Sequence, residues 1–277
     1  MESMEFSMRH KGLIGITGVC GGIGSAMARE FIAREYKVVG LDLDEKGLAN
    51  LSQTFPDYFH GIFCDMTKTE TLPGIFDQLK LDLEMPKIWI NNAGITQLGP
   101  LTDCDLNEFL KVIQINFTSL AIATHYWLGQ MEKRQSGTIV NIASFAGHAG
   151  VPFMSAYSAS KHAVVGFTRA LQAEIKFKKS GVKMTLVSPG FVDTGIIRKG
   201  EARGFPSRLS FLLTSTQDCA REIVSGILNG KEFISPTATG KILKYMNRIS
   251  PALPLLTARL GIAKSWKEMV GLKRIDF

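Results

Sequence analysis

Short apolar runs alternate along the chain with longer stretches whose apolar residues recur at helical spacing. The apolar runs lie at 13–17, 37–41, 62–63, 88–90, 138–142 and 183–187. Helical patterns fill the intervals, over 23–34, 45–54, 68–80, 106–132, 156–179 and 216–229. Runs that are apolar at consecutive positions are typical of strands buried on both faces, and parallel strands need crossover helices between them. The order therefore predicts an α/β fold, in which a doubly wound parallel sheet has helices on both faces.

The length and apolar content of the chain suit one large domain. Its 277 residues are 45% hydrophobic, which is enough for a well-buried core. We expect residues 1–250 to form this domain. Within it, glycines at about 191–214 interrupt both the strand pattern and the helical pattern, which predicts a lid over the site; a plain surface loop is the alternative. The chain shows neither an apolar run of membrane-spanning length nor an apolar leader, which predicts a cytoplasmic protein.

The four cysteines lie far apart and form no CxxC pair, so we expect no metal site. Reduced thiols packed in the core are the main interpretation. Cys20 is the one candidate for a redox role, because it falls in a glycine-rich turn where a helix N-terminus would lower its pKa.

The net charge of +7 is concentrated at the C-terminal end of the chain. Eight of the 32 basic residues but two of the 25 acidic residues lie in 241–277, so the rest is almost neutral and we expect no nucleic-acid partner. Segment 251–277 has the pattern of a basic amphipathic extension, with helically spaced apolar residues at Leu256, Leu260, Ala263, Trp266 and Val270. Such a helix packs on the protein itself or on a neighbouring subunit; peripheral contact with an anionic membrane is the alternative.

A glycine-rich turn, TGVCGGIG at 17–24, follows the first predicted strand and precedes the first helix. Glycines let backbone N–H groups approach a ligand, and a helix N-terminus favours negative charge, so the turn predicts a pyrophosphate site. Asp42 ends the second strand, where an acidic residue can hydrogen-bond the ribose of an adenine nucleotide. A carboxylate there repels a 2′-phosphate, which favours NAD over NADP. Asp44 as the ribose ligand, or Asp42 as a turn residue, are the alternatives.

The stretch YSASK places Tyr157 and Lys161 four residues apart among small residues. On a helix this spacing puts both side chains on one face, one turn apart. The same pair also occurs on solvated helix faces, so its meaning depends on the rest of the chain.

Several motifs together resemble those of the short-chain dehydrogenase/reductase family. TGVCGGIG resembles its TGxxxGxG cofactor motif, NNAG at 91–94 its motif after the fourth strand, and YSASK its YxxxK. Further matches, in the family's order, are Asp65 in FCDM, Asn116 in IQINF, Ser144 in NIASFAG and PGFVDT at 189–194. The resemblance covers about residues 11–195 and implies a Rossmann-type fold and a nicotinamide dinucleotide cofactor.

The resemblance also implies a cofactor site, and Asp42 favours NAD as its occupant. Its implied members are Thr17, Gly18, Gly22, Ile23 and Gly24 at the pyrophosphate, Asp42 at the ribose, Asp65 and Met66 at the adenine, Asn91, Asn92, Ala93 and Gly94 along the floor, and Tyr157, Lys161, Pro189, Gly190, Val192 and Thr194 toward the nicotinamide.

The catalytic set that the resemblance implies is Asn116, Ser144, Tyr157 and Lys161. A tyrosine with a pKa near 10 is a poor base at neutral pH, and we expect the Lys161 ammonium and the positive nicotinamide ring to lower that pKa. Ser144 would polarise the substrate oxygen, and Asn116 would hold a water that links Lys161 to solvent. We therefore expect an NAD-dependent oxidoreductase that transfers a hydride between nicotinamide and a secondary alcohol or ketone.

Four residues near the catalytic set predict an apolar substrate pocket: Phe145, His148, Met154 and Phe191. A structural role is the alternative for His148. The resemblance further implies a homodimer or homotetramer packed through the helices at 106–132 and 156–179. Two other functions fit the same motifs, namely a peripheral membrane enzyme acting on lipid, steroid or retinoid alcohols, and a dinucleotide-binding sensor without turnover.

Overall fold

The computed structural model describes residues 10–193, 213–237 and 240. Its strands are β1 Leu13–Thr17, β2 Lys37–Asp42, β3 Phe59–Phe63, β4 Ile88–Asn91, β5 Gly137–Ile142, β6 Val182–Val187 and β7 Phe233–Ile234. Its α-helices are α1 Gly22–Ile32, α2 Glu45–Thr54, α3 Leu72–Asp82, α4 Leu106–Ile113, α5 Ser119–Arg134, α6 Ser155–Phe177 and α7 Thr216–Leu228. The strands form one parallel sheet in the order β3-β2-β1-β4-β5-β6-β7. The predicted doubly wound α/β fold is confirmed.

The sheet separates two large hydrophobic clusters. On one face, α1, α2 and α7 cover alternate strand residues such as Ile14 and Ile16. On the other face, α3, α5 and α6 cover the remaining ones, including Leu13 and Trp89. Because each strand buries both of its faces, its residues are apolar at consecutive positions, as the sequence pattern indicated.

The helix predicted over 106–132 is observed as an unbroken helical stretch, but the prediction did not include a turn of a different helical type within it. A π-helical turn, Gln114–Thr118, lies between α4 and α5, and it contains the fully buried Asn116. π-helical turns inside α-helices are often associated with functional sites. The apolar spacing continues through the turn, so periodicity alone gave no sign of it.

The prediction also missed β7, because a strand of two residues leaves almost no pattern. Thr194, positions 194–212 of the expected lid and the whole tail from 241 to 277 lie outside the described residues. Within the part of the chain that the structure describes, no helix combines the length and hydropathy needed to cross a bilayer.

Candidate active site

The predicted site residues meet at the carboxyl edge of the sheet, around strands β1, β4 and β5. Strand β1 pairs with both β2 and β4, so the chain leaves this point in opposite directions along the sheet. In open α/β sheets, such a switch point leaves a crevice outside the carboxyl ends of the strands, where ligands bind. The segments that follow these three strands carry the glycine turn, NNAG and Ser144.

The glycine turn is packed too closely for side chains. Gly18 has φ +65°, and a Cβ on it would lie 2.7 Å from Ala93 Cα. A Cβ on Gly24 would lie 2.2 Å from the Gly18 carbonyl oxygen. Helix α1 begins here with Gly21 as its N-cap, and neither a side-chain cap nor an acidic first-turn residue occupies its N–H groups. This arrangement fits a pyrophosphate, because the N–H groups of a first helical turn have no carbonyl partner within the helix.

Thr17 and Asn92 hold this turn against the end of β4. The Thr17 hydroxyl oxygen accepts hydrogen bonds from the backbone N–H groups of Asn92 (3.0 Å) and Ala93 (3.1 Å). The Asn92 side-chain amide donates to the carbonyl oxygens of Thr17 (3.0 Å) and Gly18 (2.9 Å). Both residues therefore position the turn.

Asp42 and Asp44 have different partners. Asp42 Oδ2 accepts from the Cys20 N–H at 2.8 Å, which places its carboxylate beside the glycine turn. Asp44 Oδ1 accepts from the Gly47 N–H at 3.0 Å and caps α2. This geometry favours Asp42 over Asp44 as the ribose ligand. Burial and the two carboxylates raise the pKa of the Cys20 thiol to about 12, which speaks against the redox candidate and agrees with the main interpretation of the cysteines as reduced, structural thiols.

A cavity of about 320 Å³ borders Cys20, the residue whose N–H donates to Asp42. Its lining residues are Cys20, Ser25, Arg29, Lys46, Gly47, Asn50 and Leu51. The two basic residues come from α1 and α2. Arg29 lies 13 residues before Asp42 and Lys46 four residues after it, and the sequence prediction considered only positions 19, 20, 41 and 43, so it missed both. Since Asp42 disfavours a 2′-phosphate while Arg29 and Lys46 favour an anion, the local charges act in opposite directions on the choice between NAD and NADP.

Hydrogen bonds also hold the segments at the adenine end and at the nicotinamide end of the predicted site. Asp65 accepts hydrogen bonds from the Thr67 N–H (2.9 Å) and hydroxyl (2.7 Å), and these bonds lower the pKa of Asp65. The Met66 side chain is buried in the core. After β6, the Pro189 carbonyl accepts from Phe145 N–H at 2.8 Å.

The segment after Pro189 is tied to the far end of the described chain. The Gly190 N–H donates to the Thr237 hydroxyl at 2.9 Å. Val192 is buried and forms a β-bridge with Thr214. These contacts fix the backbone of 189–192, where the resemblance places the nicotinamide.

Ser144 and Tyr157 come together from β5 and the first turn of α6. The Ser144 Oγ accepts a hydrogen bond from the Ala146 N–H at 3.2 Å, which caps the 3₁₀-helix Phe145–Gly147. Burial raises the pKa of Tyr157, and a hydrogen bond with Ser144 only partly opposes it. The protein's own contacts therefore do not lower this pKa, because loss of solvation outweighs them, and a lowering with the nicotinamide ring bound stays a prediction.

Lys161 is deeply buried beneath Tyr157. Its side chain is 4% exposed, and its Nζ donates to the Ile142 carbonyl at 2.8 Å. The same Nζ lies 5.7 Å from the centre of the Tyr157 ring. Burial lowers the pKa of Lys161 to about 8, which is close to the pH at which most enzymes work.

Asn116 clamps the loop after β4 onto α6. Its Oδ1 accepts from the Ile95 N–H (2.8 Å), and its Nδ2 donates to the Ile95 carbonyl (2.9 Å) and the Ser160 hydroxyl (3.0 Å). The side chain keeps only one acceptor lone pair for the predicted contact with water. A Cβ on Gly94 would lie 3.3 Å from Asn116 Oδ1 and 3.5 Å from Lys161 Nζ, so both polar atoms border one small space.

The four predicted substrate residues have different surroundings. Phe145 and Met154 are half-buried and lie at the N-terminal ends of the 3₁₀-helix and of α6. Phe191 is half-buried, and its carbonyl accepts from the Thr214 N–H. The His148 Nε2 lies 2.9 Å from Ser188 Oγ, and its ring packs edge-on against Phe233. These contacts support the structural alternative for His148.

Sequence reasoning missed Gly147 and Ser160, which position the catalytic helix. Ser160 donates to the Tyr157 carbonyl at 2.7 Å and accepts from Asn116. Gly147 lies so close to α6 that a Cβ on it would be 2.4 Å from the Lys161 carbonyl oxygen. In the sequence alone, neither Gly147 nor the second serine of YSASK, Ser160, indicates these contacts.

We expect the substitution Gly147→Ala to disturb catalysis through the helix. The added methyl group must push α6 away at Lys161, which should cost about 1–3 kcal/mol in the free energy of unfolding and lower kcat by about tenfold. Gly166→Ala, on the exposed face of the same helix with open space around it, is the control and should leave kcat unchanged. Chemical denaturation and steady-state kinetics measure both effects; equal behaviour of the two variants would contradict the expectation.

The model of the short chain dehydrogenase family matches residues 13–203. Mouse (Mus musculus) 17-beta-hydroxysteroid dehydrogenase 13 is 31% identical over 228 residues, which make up 79% of this chain and 71% of that protein. The chain therefore belongs to the short-chain dehydrogenase/reductase family, as its motifs indicated.

Two solved structures share the fold. ElxO with NADP bound is 29% identical with a TM-score of 0.71, over 81% of this chain and 96% of that chain. A 4-hydroxyisoleucine dehydrogenase complexed with NADH is 26% identical with a TM-score of 0.74, over 83% and 99%. One of these two neighbours was thus solved with NADP and the other with NADH.

Proposed function

We propose that this protein is an NAD(H)-dependent oxidoreductase that interconverts a secondary alcohol and a ketone on an apolar skeleton. The observation that carries the proposal is the joint placement of Ser144, Tyr157 and buried Lys161 beside a glycine turn suited to pyrophosphate. A dinucleotide sensor needs the turn but has no use for a buried lysine beneath a tyrosine hydroxyl. The name of the mouse relative, which refers to a hydroxysteroid, supports a ring alcohol as the kind of substrate.

Each catalytic residue has a role that its surroundings support. The nicotinamide cofactor supplies or accepts the hydride. In the reducing direction, Tyr157 donates its hydroxyl proton to the substrate oxygen, and Ser144 donates a hydrogen bond to that oxygen as negative charge develops on it. The Lys161 ammonium favours the tyrosinate that remains, and Asn116 keeps α6 and the loop after β4 in register.

We propose NAD as the preferred cofactor, because the Asp42 carboxylate lies directly at the glycine turn. Its hydrogen bond from Cys20 fixes it there, and Arg29 and Lys46 line the cavity that Cys20 borders. A fixed carboxylate disfavours the 2′-phosphate by charge and hydrogen-bonds the ribose of NAD.

The substitution Asp42→Asn should lower the preference for NAD over NADP, measured as the ratio of the two kcat/KM values, by about tenfold. The change removes the negative charge and keeps the size of the side chain. Asp44→Asn serves as the matched control, because Asp44 caps α2 and should leave the ratio unchanged. An unaltered ratio in Asp42→Asn, or an equal change in both variants, would refute the assignment.

We propose a homodimer or homotetramer that forms through α4 and α6. Leu106 and Leu110 on α4 are 68% and 53% exposed, and Phe177 at the end of α6 is 91% exposed. Exposed apolar side chains of this size often mark association surfaces. Sedimentation velocity should show a dimer or larger species, and combining Leu106→Lys with Leu110→Lys should dissociate it. Leu81→Lys, at a 77% exposed position on α3, is the control and should leave the oligomer intact. A monomeric wild-type protein would contradict the proposal.

The tail at 251–277 lies outside the described residues, so its contact with a membrane stays a prediction. The cytoplasmic location of the protein also stays a prediction.

A further inference from the structure

A chain of hydrogen-bonded polar side chains crosses the core from the centre of the sheet to helix α6. The Trp89 indole donates to Asn91 Oδ1 at 2.9 Å, and the Asn91 amide donates to Asn141 Oδ1 at 2.8 Å. The Asn141 amide donates in turn to the Thr168 hydroxyl at 3.0 Å. That hydroxyl donates to the Val164 carbonyl at 2.7 Å, so the chain runs from β4 through β5 into α6. Its four side chains are all buried.

Helix α5 joins the same network through Thr124. The second N–H of the Asn91 amide donates to the Thr124 hydroxyl at 3.0 Å, and this hydroxyl lies 3.4 Å from Asn141 Oδ1, to which it donates. Asn91 therefore uses its amide oxygen and both of its amide N–H groups. The network thus links β4 and β5 to two helices, one of which carries Tyr157 and Lys161.

Stability alone does not account for polar side chains at these positions. Their surroundings are apolar, since Trp89 belongs to the hydrophobic cluster that α3, α5 and α6 cover. Apolar groups of the same shape in place of both partners of a buried hydrogen bond can be nearly neutral for stability. A fully satisfied polar network instead makes a core rigid, because each bond fixes a distance and a direction between two elements.

The bond between Asn141 and Thr168 joins the same strand and helix as the contact that holds Lys161. Asn141 directly precedes Ile142 on β5, and the Ile142 carbonyl accepts from Lys161 Nζ at 2.8 Å. Thr168 follows Lys161 by seven residues on α6, which is about two turns, so both side chains lie on one face of the helix. Strand and helix are therefore joined at two polar points, and a shift of α6 along β5 would change both.

We propose that Asn141 and Thr168 are positioning residues for the reaction, which fix α6 against β5 so that Lys161 stays at the Ile142 carbonyl beneath Tyr157. The inference rests on the proposed function, because the position of Lys161 matters for turnover only if Lys161 acts on Tyr157. The branch through Thr124 supplies an internal comparison, since α5 carries none of the four catalytic residues.

The test compares Thr168→Val, Thr168→Ser and Thr124→Val in the full-length protein. Valine keeps the shape of threonine without its hydroxyl, whereas serine keeps the hydroxyl. Each valine variant leaves one amide N–H of the network without its acceptor, so the two are matched in chemistry. Urea unfolding measures stability, and reduction of cyclohexanone or decalone with saturating NADH measures kcat. NMR of protein labelled with ¹³C at lysine Cε, assigned against Lys161→Met, follows the titration of Lys161 without needing turnover.

Thr168→Val should lower kcat by about tenfold, and Thr168→Ser should keep kcat within about twofold of the wild-type value. In Thr168→Val the pKa of Lys161 should rise from about 8 toward its ordinary value of 10.5, because a displaced helix lets solvent reach the ammonium. Thr124→Val should lose as much stability as Thr168→Val and keep the wild-type kcat and titration.

Two kinds of result would overturn the positioning role. Equal losses of kcat in Thr124→Val and Thr168→Val would show that the network acts only through the stability of the core. An unmoved titration of Lys161 in Thr168→Val, or a moved titration with wild-type kcat, would show that Thr168 does not act on the reaction through Lys161. A moved titration in a protein that binds NADH but reduces no ketone would instead contradict the proposed function and keep the link between Thr168 and Lys161.

Discussion

Replacing Tyr157 with phenylalanine should lower kcat/KM by about 10³-fold while leaving cofactor binding and Tm nearly unchanged. The substitution removes the hydroxyl that we propose exchanges a proton with the substrate oxygen, and it keeps the ring that packs 5.7 Å from Lys161 Nζ. Because burial raises the pKa of the tyrosine, its hydroxyl stays protonated in the protein itself and is a weaker acid than a tyrosine in water. Because both directions pass through the same transition state and cofactor binding is unchanged, the loss in kcat/KM should be of similar size for ketone reduction and for alcohol oxidation.

The matched control is Tyr126→Phe. Its hydroxyl donates to Asp77 Oδ1 at 2.6 Å on the surface, far along α5 from the site, so activity should be retained. Steady-state kinetics and titration of NADH fluorescence measure the two properties. Turnover by Tyr157→Phe within tenfold of the wild-type rate would remove Tyr157 from the catalytic role.

The substitution Lys161→Met should lower kcat by about 10²-fold. Methionine fills the space of the buried lysine side chain but cannot donate the 2.8 Å hydrogen bond to the Ile142 carbonyl. It also removes the positive charge that favours the tyrosinate form of Tyr157. The loss should be larger for alcohol oxidation, in which Tyr157 must act as a base. Lys176→Met, an exposed position on the same helix, should retain activity. Equal loss in both variants would show a general effect on the helix.

The same variant has a pH signature. Burial lowers the pKa of Lys161 from 10.5 to about 8, so between these values the unfolded chain binds more protons than the folded one. The contribution of Lys161 to the free energy of unfolding therefore rises with pH across this window, by up to about 3 kcal/mol. Urea unfolding at pH 7 and pH 10 should show the wild-type protein gaining stability relative to Lys161→Met, and a pH-independent difference would contradict the burial of the ammonium.

The sequence predicted the sheet well because each buried strand leaves a run of apolar residues, and it predicted the site well where motifs are local. Helix α2 was predicted with its observed bounds, and β1 likewise. The π-helical turn around Asn116 could not be predicted, since it is stabilised by Ile95 and Ser160, which lie 21 and 44 residues away.

Contacts between distant segments account for the other differences. The two basic residues of the cavity beside Cys20 come from separate helices, so inspecting only the neighbours of Asp42 in sequence missed them. The direction of the pKa shift of Tyr157 depends on burial, which no spacing of residues reveals.

The most direct test of the central claim is transfer of the hydrogen itself. The full-length protein is incubated with a ring ketone and NADH carrying deuterium at the transferable C4 position, and the product is examined by mass spectrometry. The account predicts one deuterium atom on the carbinol carbon of the alcohol, formed by the wild-type protein and almost absent with Tyr157→Phe. Tight binding of NADH together with an unlabelled alcohol, or with ketone that is not reduced at all, would contradict hydride transfer and favour the sensor.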